Sequence, residues 1–471
     1  MSKIKLGKFI EEISMGPFGS DIKVENFINE GMPVLNGSNL TSHKLVEDGF
    51  KYVSEEKGNS FGKAIARRGD IVITHRGTLG QVAYIPYDSK FEKYVISQSQ
   101  FRVRFKKEID PIYFSYLMKS KYGQAKLLSF KNHVGVPALA QATTNFKALE
   151  LDIHDIGAQQ KIASFLSALD DKIELNNRIN AELEAMAKLI YEYWFVQFDF
   201  PDKDGKPYKS SGGKMVWNKE LKREIPEGWE VKELGELLDV NRGISYRSSE
   251  IGSDGIPMIN LNSFNLDGTF KSDGTKYFSG KYQDKNLILE GDLLIAITDV
   301  TRNADIIGKA ILVPNYFKEL VFSMDVAKVI PNEKLTKTYL MMLFNTDHYH
   351  NYIKWFASGT IVLHLNLDGM KWYKTEIPPA NLLNKFESFY KTIANRINET
   401  TVQNQELASL RDWLLPMLMN GQVTVADAEE IVKEKLGMVA EERGVISIKK
   451  DKDGKRTYFE IKFLFYYSKK I

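Results

Sequence analysis

Hydrophobic and polar positions along this chain follow two different rhythms. Short apolar runs bounded by glycine, proline, asparagine or aspartate, such as "GDIVITHRG" and "GDLLIAITD", read as strands in two globular stretches. Residues 158–195, "AQQKIASFLSALDDKIELNNRINAELEAMAKLIYEYWF", contain neither proline nor glycine and predict one long amphipathic helix. A period of 3.5 places Ile162, Leu166, Leu169, Ile173, Asn176, Asn180, Leu183, Ala187, Ile190 and Trp194 on one seam. A second helix near the end of the chain has its own seam. It carries Phe386, Tyr390, Ile393, Ile397, Thr400, Asn404, Leu407, Arg411, Leu414 and Leu418. Both seams are apolar at the ends and polar in the middle, so pairing the helices would bring polar centre to polar centre and fix the register. That pattern alone fits either direction of pairing. Helices of about 40 residues reach ~60 Å at ~1.5 Å per residue, long for a module's own packing helix.

The chain also repeats itself. "QQKIASF" at Gln159 is echoed by "LNKFESF" at Leu383, an offset of 224 that also relates Ile173 to Ile397, Asn180 to Asn404 and Leu183 to Leu407. "GVPALAQ" at Gly135 answers "GTIVLHL" at Gly359, "GDIVITHRG" answers "GDLLIAITD", and "GQVAYIP" answers "GKAILVP", with small drifts that loop insertions produce. The plan is module, helix, module, helix. The expected boundaries are a first module at 1–156, a helix at 157–199 and an exposed linker at 200–226. A second module at 227–379, a helix at 380–420 and a tail at 421–471 follow. The tail reads as a short acidic helix and a hairpin around an Asp-Gly turn. The aromatic run Tyr191, Tyr193, Trp194, Phe195 and Phe198 reads as intramolecular packing at the helix end.

Composition adds bounds. With 471 residues the chain holds several cores. The absence of cysteine excludes disulfides and thiolate-bound metals. No long apolar run or leader-like start is present, which predicts a cytoplasmic protein away from membranes. A net charge of +3 neither requires nor excludes nucleic acid.

Catalytic patterns are lacking. "SSGGKMV" misses the first glycine of a phosphate loop, no HExxH occurs, and His348 and His350 read as packing or surface residues. "IPPA" at Ile377 lacks the polar residue of an amino-methyltransferase turn. The Glu-x-Lys at Glu460 recurs at Glu55, Glu220 and Glu230 and carries no signal. The polar loops are more informative. In module one, "GPFGSDIK", "NGSNLTSHK", "THRGTLGQ" and "SFKNHVG" offer Ser20, Lys23, Asn36, Ser38, Asn39, His75, Arg76, Thr78, Lys131 and His133. In module two, "NRGISYRSS", "NLNSFNLDG" and "TDVTRNADIIG" offer Arg242, Tyr246, Arg247, Asn260, Asn262, Ser263, Thr298, Arg302 and Asn303. Amides read adenine edges, guanidinium and ammonium groups read guanine, and hydroxyls reach phosphates. Such loops are also ordinary turns, but their recurrence in both modules points to a DNA-recognition surface. Asp299 and Asp305 sit awkwardly beside phosphates, although an Asp can accept from a cytosine amino group.

Together the module–helix order, "AQQKIASFLSALDDKIELNN" with its aromatic continuation, and the "IPEGWEVKELGEL" re-entry resemble the specificity (S, or HsdS) subunit of type I restriction–modification systems over residues 1–420. "HDIGAQQ" departs from the Pro-Pro and acidic residue common in the family, and "PPANLLNKFESF" keeps the prolines but not the glutamines. The resemblance implies an α+β chain: two globular α/β target-recognition domains joined by two long antiparallel helices in a coiled coil, with an internal pseudo-two-fold repeat. It further implies a non-catalytic subunit that binds double-stranded DNA. Two methyltransferase (M) subunits would carry S-adenosylmethionine, restriction (R) subunits would use ATP and Mg, and this chain would hold no cofactor or metal. A self-contained enzyme with catalysis in the tail, or a protein scaffold without DNA affinity, are the competing readings.

Overall fold

The computed structural model describes residues 1–17, 21–132, 137–317 and 319–442, with side chains to 436. The hairpin expected in the tail, Ser20 and His133 lie outside the described residues. The chain forms two compact units, residues 1–174 with 404–471 and residues 175–403, so each long helix is shared between units near its centre.

In the first unit, one antiparallel sheet runs in the order Ile10–Met15, Gln100–Phe105, Ile71–Thr74, Val82–Tyr84. A second sheet runs Lys51–Val53, Met32–Val34, Lys93–Val95, Ile65–Arg67. The first three residues of "IVIT" are all apolar because the strand is buried on both faces. Val72 and Ala83 join the core with Ile85 and Tyr94, while Ile71, Ile73, Val82 and Phe101 pack in the cluster containing the helices. A short pairing of Ser2–Lys5 with Glu150–Ile153 closes the unit.

The second unit repeats the plan. Its four-stranded sheet runs Leu238–Arg242, Val326–Pro331, Leu293–Ala296, Ala310–Leu312, and a five-stranded sheet pairs with it around Ile259, Leu294, Ala296, Ile311 and Phe322. Leu293 and Ile295 face the helix-side core. Glu230–Glu233 pairs with Lys374–Ile377, the counterpart of the closure in the first unit. The segment expected to be a bare linker is folded here. Its strands Met215–Asn218 and Arg223–Pro226 form a hairpin, Asp199 accepts from the Ser210 backbone N–H and hydroxyl, and Phe200 stacks on Tyr208 and Trp229. The segment is largely exposed, as its glycines and charges suggested, with Gly205 and Gly212 at positive φ in its turns and three aromatic rings holding it.

Two long helices complete the frame, α1 at Ile156–Tyr191 and α2 at Ala380–Met419. Within the second unit, Asn176 donates to Gln403 at 2.8 Å, Thr400 donates to Asn180, and Tyr191 lies 6.0 Å from Phe386. Residue numbers rise on one helix as they fall on the other, so the helices are antiparallel. The predicted seam is the packed one. Leu183, Ile190 and Ile397 are half-buried, and Ile393 and Thr400 are buried. Within the first unit Ile162, Leu166 and Leu169 share a core with Leu407, Leu414 and Leu418, with Ile173 at its edge. Asn404 is half-buried. Tyr191, Phe195 and Phe198 are buried in the second unit's core, which is the intramolecular role expected of the aromatic run. A third helix, α3 at Val425–Glu442, packs Ala428 and Val432 on the first unit, so the described part of the tail stabilises that unit. No helix among the described residues is long and apolar enough to cross a membrane.

Candidate nucleic-acid interface

Each unit builds the same local device. The strand at the centre of the four-stranded sheet ends in a polar loop, and that loop pairs with a hairpin contributed from much later in the chain. In the first unit, Ile71–Thr74 leads into His75, Arg76 and Thr78. His75 accepts from the Leu139 backbone N–H at 2.8 Å, Gly77 donates to Pro137 at 3.0 Å, and Arg76 bridges Ala138. This brings Arg76 and Thr78, both exposed, beside the strand carrying exposed Lys131 and Asn132. Gln81 adds a third loop: its amide donates to Gly37 at 3.0 Å and accepts from Thr74, so exposed Ser38 is stitched to the same end of the sheet.

In the second unit, Leu293–Ala296 leads into Thr298 and Asp299, which pair with His364 and Leu363. Exposed Arg302 and Asn303 follow. Asp299 is fully buried; its two oxygens accept from the backbone N–H groups of Thr301 and Ile306, both at 2.6 Å. The carboxylate that looked awkward beside phosphates is turned inward and spent on the loop.

The other sequence-based candidates divide by burial. Asn39 is fully buried, its amide donating to Val46 and Asp48 and its oxygen accepting from Asn36. Asn260 and Ser263 form the corresponding capped turn in the second unit and are also buried. Thr298 is buried and donates to Asp325. These four are not base readers: every one has its polar group committed to the fold, and withdrawing it would cost about 1–3 kcal/mol. Asn36 is half-buried and accepts from Ser38, so it too serves the turn. The His75 imidazole bonds the Gln98 carbonyl, and burial lowers its pKa, which removes it as a cation for phosphate. Lys23 stands on another loop beside Glu25. Arg242, Arg247 and Asn262 are exposed, while Tyr246 packs on a small apolar cluster. Asn132, Val300, Ile361 and His364 share the described loops but were missed, because only the hairpin pairing reveals that position 300 meets the segment around 361–364.

No group of three or more His, Asp or Glu among the described residues could hold a metal. His350, one of the two histidines considered for chemistry, is buried and bonds the Ile307 carbonyl.

A model of the type I restriction modification DNA specificity domain matches this chain twice, at residues 19–185 and 226–406. The MjaIX specificity subunit of Methanocaldococcus jannaschii is 26% identical over 439 residues, covering 90% of this chain and 94% of the relative. The HindI specificity subunit of Haemophilus influenzae is 22% identical over 469 residues, covering 88% and 99%. The crystal structure of a type I restriction–modification S subunit from M. genitalium shares the fold with a TM-score of 0.53 at 15% identity, covering 89% of this chain and 96% of that one. Two matched domains, each carrying the loop-and-hairpin device and interleaved with the antiparallel helices, place this chain in the type I restriction–modification specificity subunit family, as a non-catalytic DNA-recognition subunit.

Proposed function

We propose that each unit reads one half of a bipartite, asymmetric DNA site, that α1 and α2 set the spacer between the halves, and that the helical pair docks two methyltransferase subunits. The recurrence of the loop-and-hairpin device in both units carries this reading. The repeated frame suits a duplex whose two strands run in opposite directions, while the differing loops suit two different half-site sequences. In the first unit Arg76, Thr78, Lys131 and Ser38 are the exposed contacts, and in the second Arg302 and Asn303 take that role. Met186, Leu189, Tyr193 and Val196 recur at helical spacing as an exposed apolar stripe on the α1 side, a surface suited to a partner helix. S-adenosylmethionine belongs in this reading to the methyltransferase subunits, and ATP and Mg to restriction subunits where they join.

Mapping methylated adenines in DNA modified by the co-expressed complex tests the proposal. The expected result is two short motifs separated by a fixed number of unspecified bases, with binding that weakens steeply with salt. Methylation at a single contiguous motif, or without sequence preference, would overturn it.

A further inference from the structure

The two loop-and-hairpin devices differ in chemistry at one equivalent position. At these strand ends the offset is 222, as in "GDIVITHRG" and "GDLLIAITD", and it relates Arg76 to Thr298 and Thr78 to Val300. Where the first unit presents the exposed hydroxyl of Thr78, the second presents an aliphatic side chain, Val300, that is 70% exposed. Ile361, in the turn of the paired hairpin, is 85% exposed. The register Thr298 to His364 and Asp299 to Leu363 runs on toward Val300 and the 359–362 turn, which puts both aliphatic residues at the same end of that small sheet.

Neither residue is exposed through slack in the chain. Asp299 pins the loop from inside through Thr301 and Ile306, Thr301 accepts from the Asp305 N–H at 3.0 Å, and Ala304 adopts a left-handed backbone with φ of 55°. The opposing turn depends on Gly359 at φ of 142°, where a Cβ would stand 2.0 Å from the Val362 carbonyl oxygen. Two separate backbone devices therefore hold two aliphatic side chains out into water, beside exposed Arg302 and Asn303. A preorganised apolar tip next to a cation matches a base edge that is itself apolar, flanked by phosphate. The thymine C5 methyl is the apolar feature of the major groove.

We infer that the second unit reads its half-site partly by apolar contact, with Val300 and Ile361 packed on thymine methyl groups, whereas the first unit has Thr78 at the equivalent place. This rests on the reading of the second unit as a DNA reader. The test uses the full chain in complex with its methyltransferase subunits and the mapped site. Replacing thymines one at a time by deoxyuridine in the second unit's half-site removes only the methyl group. Binding should weaken about fivefold at one or two positions, as expected for losing burial of a single methyl. The Ile361→Ala and Val300→Ala variants should lose that sensitivity while the first unit's half-site is still read, which also shows that they fold. Specific binding that ignores deoxyuridine at every position overturns the inference alone. So does weakening by Ile361→Ala with no thymine-methyl dependence, which would indicate wedging between bases instead. Absence of any sequence-specific binding by the unaltered complex would overturn the DNA-reading proposal itself.

Discussion

Asp170 on α1 gathers three side chains in the first unit. Arg411 of α2 pairs with it, the Tyr116 hydroxyl donates to it at 2.5 Å, and His43 lies 3.3 Å away with its other ring nitrogen 3.0 Å from the same hydroxyl. Burial holds the His43 pKa down to about 4 despite the carboxylate, so the ring is neutral and bonded rather than ion-paired. The repeat offset relates Asp170 to Ala394 and Arg411 to Ala187, and the second unit has a cavity of about 830 Å³ lined by both alanines and by Glu184 and Tyr390. One unit is therefore fastened to its helices by a charged cluster and the other is left with space. Asp170→Asn should lower the unfolding free energy by about 2 kcal/mol, because half-buried Arg411 loses its charge partner; urea unfolding of the full chain that shifts by less than a quarter of that would refute the fastening. In the cavity, burial and then the charge of Asp267 raise the Glu184 pKa to about 7. A carboxyl with a raised folded pKa is stabilising below its ordinary value near 4.5 and loses that contribution as pH rises to about 7. Melting temperature should accordingly fall across that window in the wild type and fall less in Glu184→Gln; parallel profiles would contradict it. Residues of this kind were not legible in the sequence. Asn39, Asn260, Ser263 and Thr298 had the right chemistry for base reading, but the same amides and hydroxyls cap turns, and only burial separates the two uses.

The helices were legible because their signal is long and periodic. Seam positions chosen at a period of 3.5 were the buried or half-buried ones along both helices, and the facing of polar centre to polar centre followed from the same pattern. The exact partners did not follow. Asn176 bonds Gln403, which lies off the predicted seam, because a polar side chain can lean across to a neighbouring position where an aliphatic one cannot. The seam pattern left the direction of pairing open, and these bonds give the antiparallel arrangement that the resemblance implied. If the polar layer specifies register at a cost in stability, Asn176→Leu alone should destabilise the chain by about 1–3 kcal/mol by stranding the Gln403 amide. The double variant Asn176→Leu with Gln403→Leu should recover most of that loss, and it should do so at the expense of a unique alignment. Additive losses in the double-mutant cycle would mean the two amides do not depend on each other.

At the scale of the whole molecule, what the repeat shares and what it does not share separate two tasks. The closing strand pairs, the two-sheet modules and the helix seams recur in both units, and these are the parts a spacer and a docking frame require. Thr78 against Val300, and Asp170 against Ala394, are where the copies part, and they lie at the loops and at the fastening of the module. A sequence repeat made this division visible, whereas the target bases stay unread because they depend on loop geometry rather than residue type. If the helices act as a ruler, spacer length should follow helix length and half-site sequence should not. Removing four residues from each helix at facing positions shortens the pair by about 6 Å, or roughly two base pairs of duplex. The mapped methylation motif should then keep both half-sites and lose about two unspecified bases between them. An unchanged spacer with altered half-sites would place sequence reading in the helices and spacing in the modules, the reverse of a ruler.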